Sequence, residues 1–389
     1  MLGLVSLLND VASEMIFPLL PLFLTSVLGA SATLLGLVEG IAEATASLLK
    51  VFSGWYADKV QRKKPLIFFG YGLSALTKPL FAFATAPWHV LAARFADRVG
   101  KGIRTTPRDV LISQSSSEKN RGSAFGLHRA LDSAGAVIGP LLAYFLLSAL
   151  PQTSFFLGFS FDQLRLIFLF AFVPGLLSLV VLHFGVVEKP GKAKKKFELP
   201  SWTEFQRLPT SFKRFVLVAT LFSLANFSLA FMILRVKDLG VPLALIPLAY
   251  MASNLVYTLS SLPAGVLSDK IGRRKVLAGS FVVFSLVCLG FAFATSELEA
   301  FVFLALYGLF IGAFDGVSKA FASDLSPEKS RGSALGIYYG ATSAAALFSS
   351  LAAGVLWDSF GAPATFFYGA TGGLLSAGLM MFHVKEKGG

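Results

Sequence analysis

The chain has 389 residues, 55% of them hydrophobic and 14% charged, with a mean hydropathy of +0.70; a water-soluble domain cannot hide that much apolar surface, whereas a bilayer can. The net charge of +12 would suit nucleic acid or anionic lipid, but much of it lies in short loops between apolar runs, the positive-inside pattern rather than a nucleic-acid groove. A lone cysteine, Cys288, excludes an intrachain disulfide and a cysteine-based metal cluster, and the four scattered histidines show no metal-binding spacing.

A spanning helix needs about 20 largely apolar residues, and twelve are predicted: 3–28, 33–57, 65–86, 88–113, 122–149, 163–186, 214–236, 242–268, 274–295, 298–322, 332–356 and 362–384. The first run lacks a basic leader and a small-residue cleavage site, so it reads as helix one rather than a signal peptide. Loops 58–64, 114–122, 269–275 and 323–331 and the segment 187–213 carry Lys and Arg, whereas loops 29–32, 86–87, 295–298 and 357–361 carry none; Arg165, Arg235 and Lys237 are exceptions. This places both termini and the 187–213 linker in the cytoplasm. Within the linker, 200–205 is read as either a short surface helix anchored by Trp202 and Phe205 or a solvated connector.

One signature occurs twice. Gly54-Trp55-Tyr56-Ala57-Asp58-Lys59-Val60-Gln61-Arg62-Lys63-Lys64 returns 211 residues later as Gly265-Val266-Leu267-Ser268-Asp269-Lys270-Ile271-Gly272-Arg273-Arg274-Lys275, and the stretch from Glu118 to Gly126 returns 210 residues later from Glu328 to Gly336. Two unrelated motifs at nearly one spacing indicate a duplicated half, and a membrane protein of two like halves is built to rock one against the other around a central site.

The Gly-x-x-x-Asp-Lys-x-Gly-x-Arg-Lys loop resembles the signature of the major facilitator superfamily, with Gln61 departing from the usual glycine in the first copy. The resemblance implies an all-α membrane fold of two pseudo-symmetric six-helix bundles, 1–186 and 214–389, around a central cavity, working by alternating access. It also implies a cytoplasmic gate from Gly54, Asp58, Lys59, Lys63, Gly265, Asp269, Lys270 and Arg274, joined by Arg121 and Arg331. The competing reading of these residues is topology charges and interfacial anchors. Helix five carries Gly135, Gly139 and Pro140, which resemble the Gly-Pro motif of the family's antiporters; glycines four apart also permit close helix contact in general.

Ionisable groups inside a bilayer are costly and mark function by default. The first half has many: Asp10 and Glu14 on helix one; Glu39, Glu43 and Lys50 on helix two; Arg94, Asp97, Arg98, Lys101, Arg104, Arg108 and Asp109 on helix four; His128, Arg129 and Asp132 on helix five. At about 100° per residue the helix-four charges from Arg94 to Arg108 form an inward stripe about 120° wide. The second half is apolar by comparison. Aligning Asn9 with Asn226 sets Asp10 and Glu14 against Phe227 and Phe231, which with Asn254 and Tyr257 are read as lining the opposite wall. Three readings follow. Asp10, Glu14, Glu39, Glu43 or Asp132 carries a proton, with Glu14 and Glu43 expected deepest. Alternatively Arg94, Arg98, Lys101, Arg104 and Arg108 bind an organic anion, with His128 and Arg129 as further substrate or cavity candidates; or the charges form a structural lattice, Arg104, Arg108 and Asp109 being also open to an exposed place at the cytoplasmic mouth.

The sequence thus reads as a secondary active transporter of the inner or plasma membrane, a monomer exporting a small organic solute in exchange for protons. It is expected to use no cofactor, metal or nucleic acid. The alternatives are an organic-anion transporter, a sensor that no longer transports, and an intramembrane enzyme using His128, Glu14 and Asp132 for acid–base work; against the last stand the missing metal spacing, the missing Ser/His or Cys/His nucleophile context and the duplication, and with no P-loop the energy is expected from a gradient.

Overall fold

The computed structural model describes residues 1–59, 62–117, 120–156, 159–188, 208–327 and 330–386, with backbone only at 51, 54–59, 121, 154–156 and 159–160. The expected surface segment 200–205 and Gln61 lie outside the described residues.

Apolar composition and capping chemistry together explain the elements. Helix one runs Leu2–Ile16, stops at Phe17-Pro18-Leu19, and resumes as Leu20–Leu22 and a π-helical Phe23–Val27. Helix two is Ala32–Lys59, helix three Lys64–Ala82, helix four Pro87–Gln114, helix five Arg121–Ala149 and helix six Gln163–Gly185. Helix seven is again broken, Thr210–Ala225 then Ala230–Asp238. Helix eight is Ile246–Ile271 behind a 3-10 turn at Leu243–Leu245; helix nine is Arg273–Phe293, ten Glu297–Leu325, eleven Arg331–Phe360 and twelve Ala362–His383. Prolines open helices three, four and twelve, where a missing N–H costs nothing. Ser296 and Glu299 form a reciprocal capping box at helix ten.

The twelve predicted spans therefore recur, with three differences. An antiparallel hairpin, β1 Thr153–Phe156 and β2 Phe159–Asp162, joins helices five and six. Helices one and seven are interrupted, and their first pieces end 209 residues apart. That separation matches the motif spacing and corrects the alignment of Asn9 with Asn226: the repeat places Phe17, not Asp10, beside the Asn226-Phe227 break.

The chain divides into two compact units. The first comprises Met1–Ala30, Ile41–Phe197 and Pro242–Met251; the second comprises Ser31–Gly40, Glu198–Val241 and Ala252–Gly389. Compared with the two sequence bundles, the starts of helices two and eight have changed sides. In the first unit, helix one packs on helices five and six, and helix three on helices four and six. In the second, helix nine packs on helices ten and twelve, and helix seven on helices eleven and twelve. The second unit's core is aromatic: Phe222 stacks on Phe281 with centroids 3.9 Å apart, and Phe284, Phe310 and Phe314 surround the pair.

Two arginines that break the positive-inside pattern have structural work. Arg165 Nη1 donates to the Ala82 and Ala84 carbonyls, each at 2.7 Å, beyond the end of helix three. Arg235 donates to Phe291 and Ala294 at 3.2 and 3.0 Å at the end of helix nine. Helix ends leave carbonyls without intrahelical partners, and these side chains satisfy them.

Candidate functional site

The charged side chains of the first half converge on helix four. Asp97 lies 3.3 Å from Lys78 Nζ and 3.5 Å from Arg98 Nε, and Lys78 also reaches Ser13 Oγ at 3.2 Å. Lys78 is only 2% exposed. It is absent from the sequence reading, although it interrupts the apolar span of helix three and meets the criterion applied to the other buried charges. Arg104 donates to Ser74 Oγ at 2.5 Å and lies over the Tyr71 ring at 4.4 Å. Arg108 contacts Asp109 at 3.0 Å and Ser6 Oγ at 3.1 Å. Arg94, Asp97, Arg98 and Arg104 of the stripe are buried and Arg108 is half-buried, whereas Lys101 is exposed; Arg104 is therefore not at an exposed mouth. Gly100 and Gly102 meet neighbouring helices: a Cβ on Gly100 would fall 2.5 Å from the Gly70 carbonyl, and one on Gly102 2.5 Å from Leu49 Cβ.

The acids separate by environment. Glu39 is buried. Glu43, expected deep, has a side chain 52% exposed and pairs with Arg98 at 3.5 Å, because its turn of helix two faces open space, as does Lys101 on helix four. Asp10 and Glu14 lie against the helix-five glycines: a Cβ on Gly135 would stand 2.9 Å from Asp10 Cβ, and one on Gly139 2.8 Å from Glu14 Cβ. The Gly-x-x-x-Gly spacing is therefore the surface on which the two helix-one acids rest, with Pro140 buried just beyond. Asp132 pairs with His128 at 3.4 Å; Arg129 is exposed.

Tyr250, at the start of helix eight, donates its hydroxyl to Glu14 Oε2 at 2.6 Å. Its ring packs against Phe17 with centroids 5.3 Å apart, and the Arg94 guanidinium lies over the Phe17 ring, 5.2 Å from its centroid. No sequence signal marks Tyr250, since a tyrosine in an apolar run ordinarily reads as core.

The second-half residues differ from expectation. Phe227 and Phe231 do not line a wall. Phe227 packs among Phe231, Phe284 and Phe366, and Phe231 against Trp357, so both are buried bundle core. Asn226 stands at the break of helix seven with a buried Oδ1 lacking a partner. Asn254 and Tyr257 are half-buried on helix eight. Asp315 and Lys319 pair at 2.6 Å on helix ten.

At the motif loops, the side chains of Gly54, Asp58, Lys59 and Arg121 lie outside the described residues. Lys63 and Lys64 donate their backbone N–H groups to Glu188 at 2.5 and 2.9 Å, and Arg274 donates its own to Glu386 at 2.7 Å. A carboxylate following the last helix of each half thus seats on the start of the third. Gly272 has φ +99°, the left-handed turn that favours glycine there. Gly265 has open space around it; Asp269 contacts Arg273 at 3.5 Å, which reaches Asp324 at 3.0 Å; Lys270 and Arg331 are exposed.

Asp358, in the last turn of helix eleven, accepts from Ala32 N at 3.0 Å, Thr33 N at 2.8 Å and Thr33 Oγ1 at 2.6 Å. An acid is electrostatically misplaced at the C-terminus of its own helix. It is well placed at the N-terminus of helix two.

The sequence profile described as Major Facilitator Superfamily matches residues 2–236 and 215–388. An uncharacterised MFS-type transporter of Methanocaldococcus jannaschii is 38% identical over 388 residues, covering 98% of this chain and 94% of that protein. The multidrug resistance protein MdtH of Photorhabdus laumondii is 34% identical over 132 residues, a third of each chain. Among solved structures, the nucleoside transporter NupG superposes with a TM-score of 0.81 at 14% identity over 99% of both chains, a likeness of fold.

Proposed function

Because the chain belongs to the Major Facilitator Superfamily, a family of multi-pass membrane transporters, we propose that it exports a small organic solute in exchange for protons across the inner or plasma membrane, with both termini cytoplasmic. The bond from Tyr250 to Glu14 carries this reading. It joins a carboxylate of the first sequence half to a hydroxyl of the second. An ionised carboxylate accepts such a bond at about 1.5–3 kcal/mol, against about 0.5–1.5 kcal/mol for a neutral acceptor. Protonating Glu14 therefore loosens the hold of helix one on the start of helix eight by about 1 kcal/mol, and alternating access needs such a bias. The likeness of one third of the chain to a multidrug resistance protein supports export of an organic solute.

The organic-anion reading is weaker because Arg98 already faces Asp97 and Glu43, and Arg104 faces Ser74. Reconstitution into liposomes with an imposed pH gradient tests both, using ethidium as the cationic probe and benzoate as the anionic one. Glu14→Gln is expected to keep exchange of ethidium while losing gradient-driven accumulation. Normal accumulation by this variant refutes the role of Glu14, and benzoate transport lost in Arg98→Gln with ethidium untouched would establish the anion reading instead.

A further inference from the structure

The groove between helices one and five holds a file of protonatable side chains. Ser6, Asp10 and Glu14 recur every fourth residue on helix one, and His128 and Asp132 do so on helix five, so successive members stand about 6 Å apart along each axis. Their contacts run in order. His128 Nδ1 is 3.4 Å from Asp132 Oδ2. Ser6 lies within reach of the Asp132 carboxylate. Asp10 is in coulombic range of both Asp132 and Glu14, and Glu14 receives the Tyr250 hydroxyl.

One end of this file opens on a cavity of about 310 Å³, lined by His128 with Gly3, Ile112, Ser115, Leu131 and Val186. His128 is buried; its Nδ1 faces Asp132, and its Nε2 has no protein partner. Asp132 Oδ1 and Asn9 Oδ1 are likewise buried without one. A settled core rarely leaves such atoms unsatisfied, and a row of them is what a path for protons or water needs. Helix four supplies positive charge nearby: Arg108 contacts Ser6 and lies in coulombic range of Asp132, and Lys101 and Arg104 lie in coulombic range of Asp10. Within the file, only His128 carries two ring nitrogens, so that one can take up a proton while the other gives one up.

We infer that His128 is the proton entry group of the transporter, a step that rests on the proton-coupling reading of Glu14. A hydronium reaching the cavity gives a proton to Nε2, leaving water behind and forming imidazolium. Nδ1 then releases its proton to Asp132 Oδ2, leaving a neutral ring protonated at Nε2, and transfer of that proton through water from Nε2 to Nδ1 restores the starting tautomer. The proton passes by way of Asp10 to Glu14, where it competes with the Tyr250 bond.

Infrared difference spectroscopy on the full chain in lipid nanodiscs after a rapid pH drop follows the protonated-carboxyl band, and the component missing in Glu14→Gln identifies Glu14. His128→Gln is expected to slow the rise of that component about tenfold or more while leaving its final amplitude, which also reports an intact fold. In His128→Ala, imidazole added to the buffer is small enough to enter the cavity and is expected to restore the rate. An unchanged rate in His128→Gln overturns the relay, as does a slow His128→Ala that imidazole leaves slow. If the unaltered protein shows no Glu14 component, proton coupling at Glu14 falls and the relay falls with it.

Discussion

Replacing Asp358 with alanine removes three bonds at the start of helix two: from Ala32 N at 3.0 Å, Thr33 N at 2.8 Å and Thr33 Oγ1 at 2.6 Å. Loss of a helix N-cap costs about 0.5–2 kcal/mol, and loss of a negative charge facing the helix dipole adds about 0.3–1 kcal/mol. The contact is partly exposed, so salt screens some of this; a total near 2 kcal/mol corresponds to a population change of about thirty-fold. Hydrogen exchange reads this directly, because two of the three donors are backbone amides. Asp358→Ala is expected to raise exchange over residues 31–36 about thirty-fold, with helix twelve unaffected. Asp358→Asn keeps one acceptor oxygen without charge and should give a smaller increase, less sensitive to salt. Unchanged exchange at the start of helix two in Asp358→Ala refutes the reasoning, since the carboxylate would then hold nothing in solution.

Two further outcomes follow from packing. Breaking the buried Lys78–Asp97 pair by Asp97→Leu alone strands an ammonium and is expected to cost about 3–5 kcal/mol, seen as a lower Tm; adding Lys78→Met should recover most of it, since an apolar replacement for both partners is often neutral. Gly139→Leu forces side-chain atoms into space where even a Cβ stands 2.8 Å from Glu14 Cβ and from the Val11 carbonyl, and should destabilise by about 1–3 kcal/mol; Gly126→Ala, with nothing within 4 Å, is the control expected to leave Tm unchanged.

The helices were legible because apolar length is a local property, and the repeat because its motifs are contiguous. The burial of Arg94, Asp97, Arg98 and Arg104 on helix four was legible too, though not the exposure of Lys101 in the same stripe, since charges at helical spacing in a bilayer have few other places to go. Partnership was not. Glu43 is the less buried of the helix-two acids despite sitting one turn from buried Glu39, a difference set by which neighbour covers each turn. Phe227 and Phe231 looked like a lining because their alignment with Asp10 and Glu14 rested on one shared asparagine; the breaks in helices one and seven place the repeat elsewhere. Tyr250 and Asp358 act on residues 236 and about 325 positions away, distances over which no pattern in a single sequence carries information. Asp358 alone left a trace, as an acid at the wrong end of its helix.

Three residues beyond the end of helix six, Glu188 accepts from the amides of Lys63 and Lys64 at the start of helix three, next to the duplicated loop. A pull on the chain beyond Glu188 would therefore be felt at the start of helix three, and at the loop beside it, as well as at helix six. The tether between the repeats is wired at its root to the loop that gives the family its signature, so what happens to one is felt by the other.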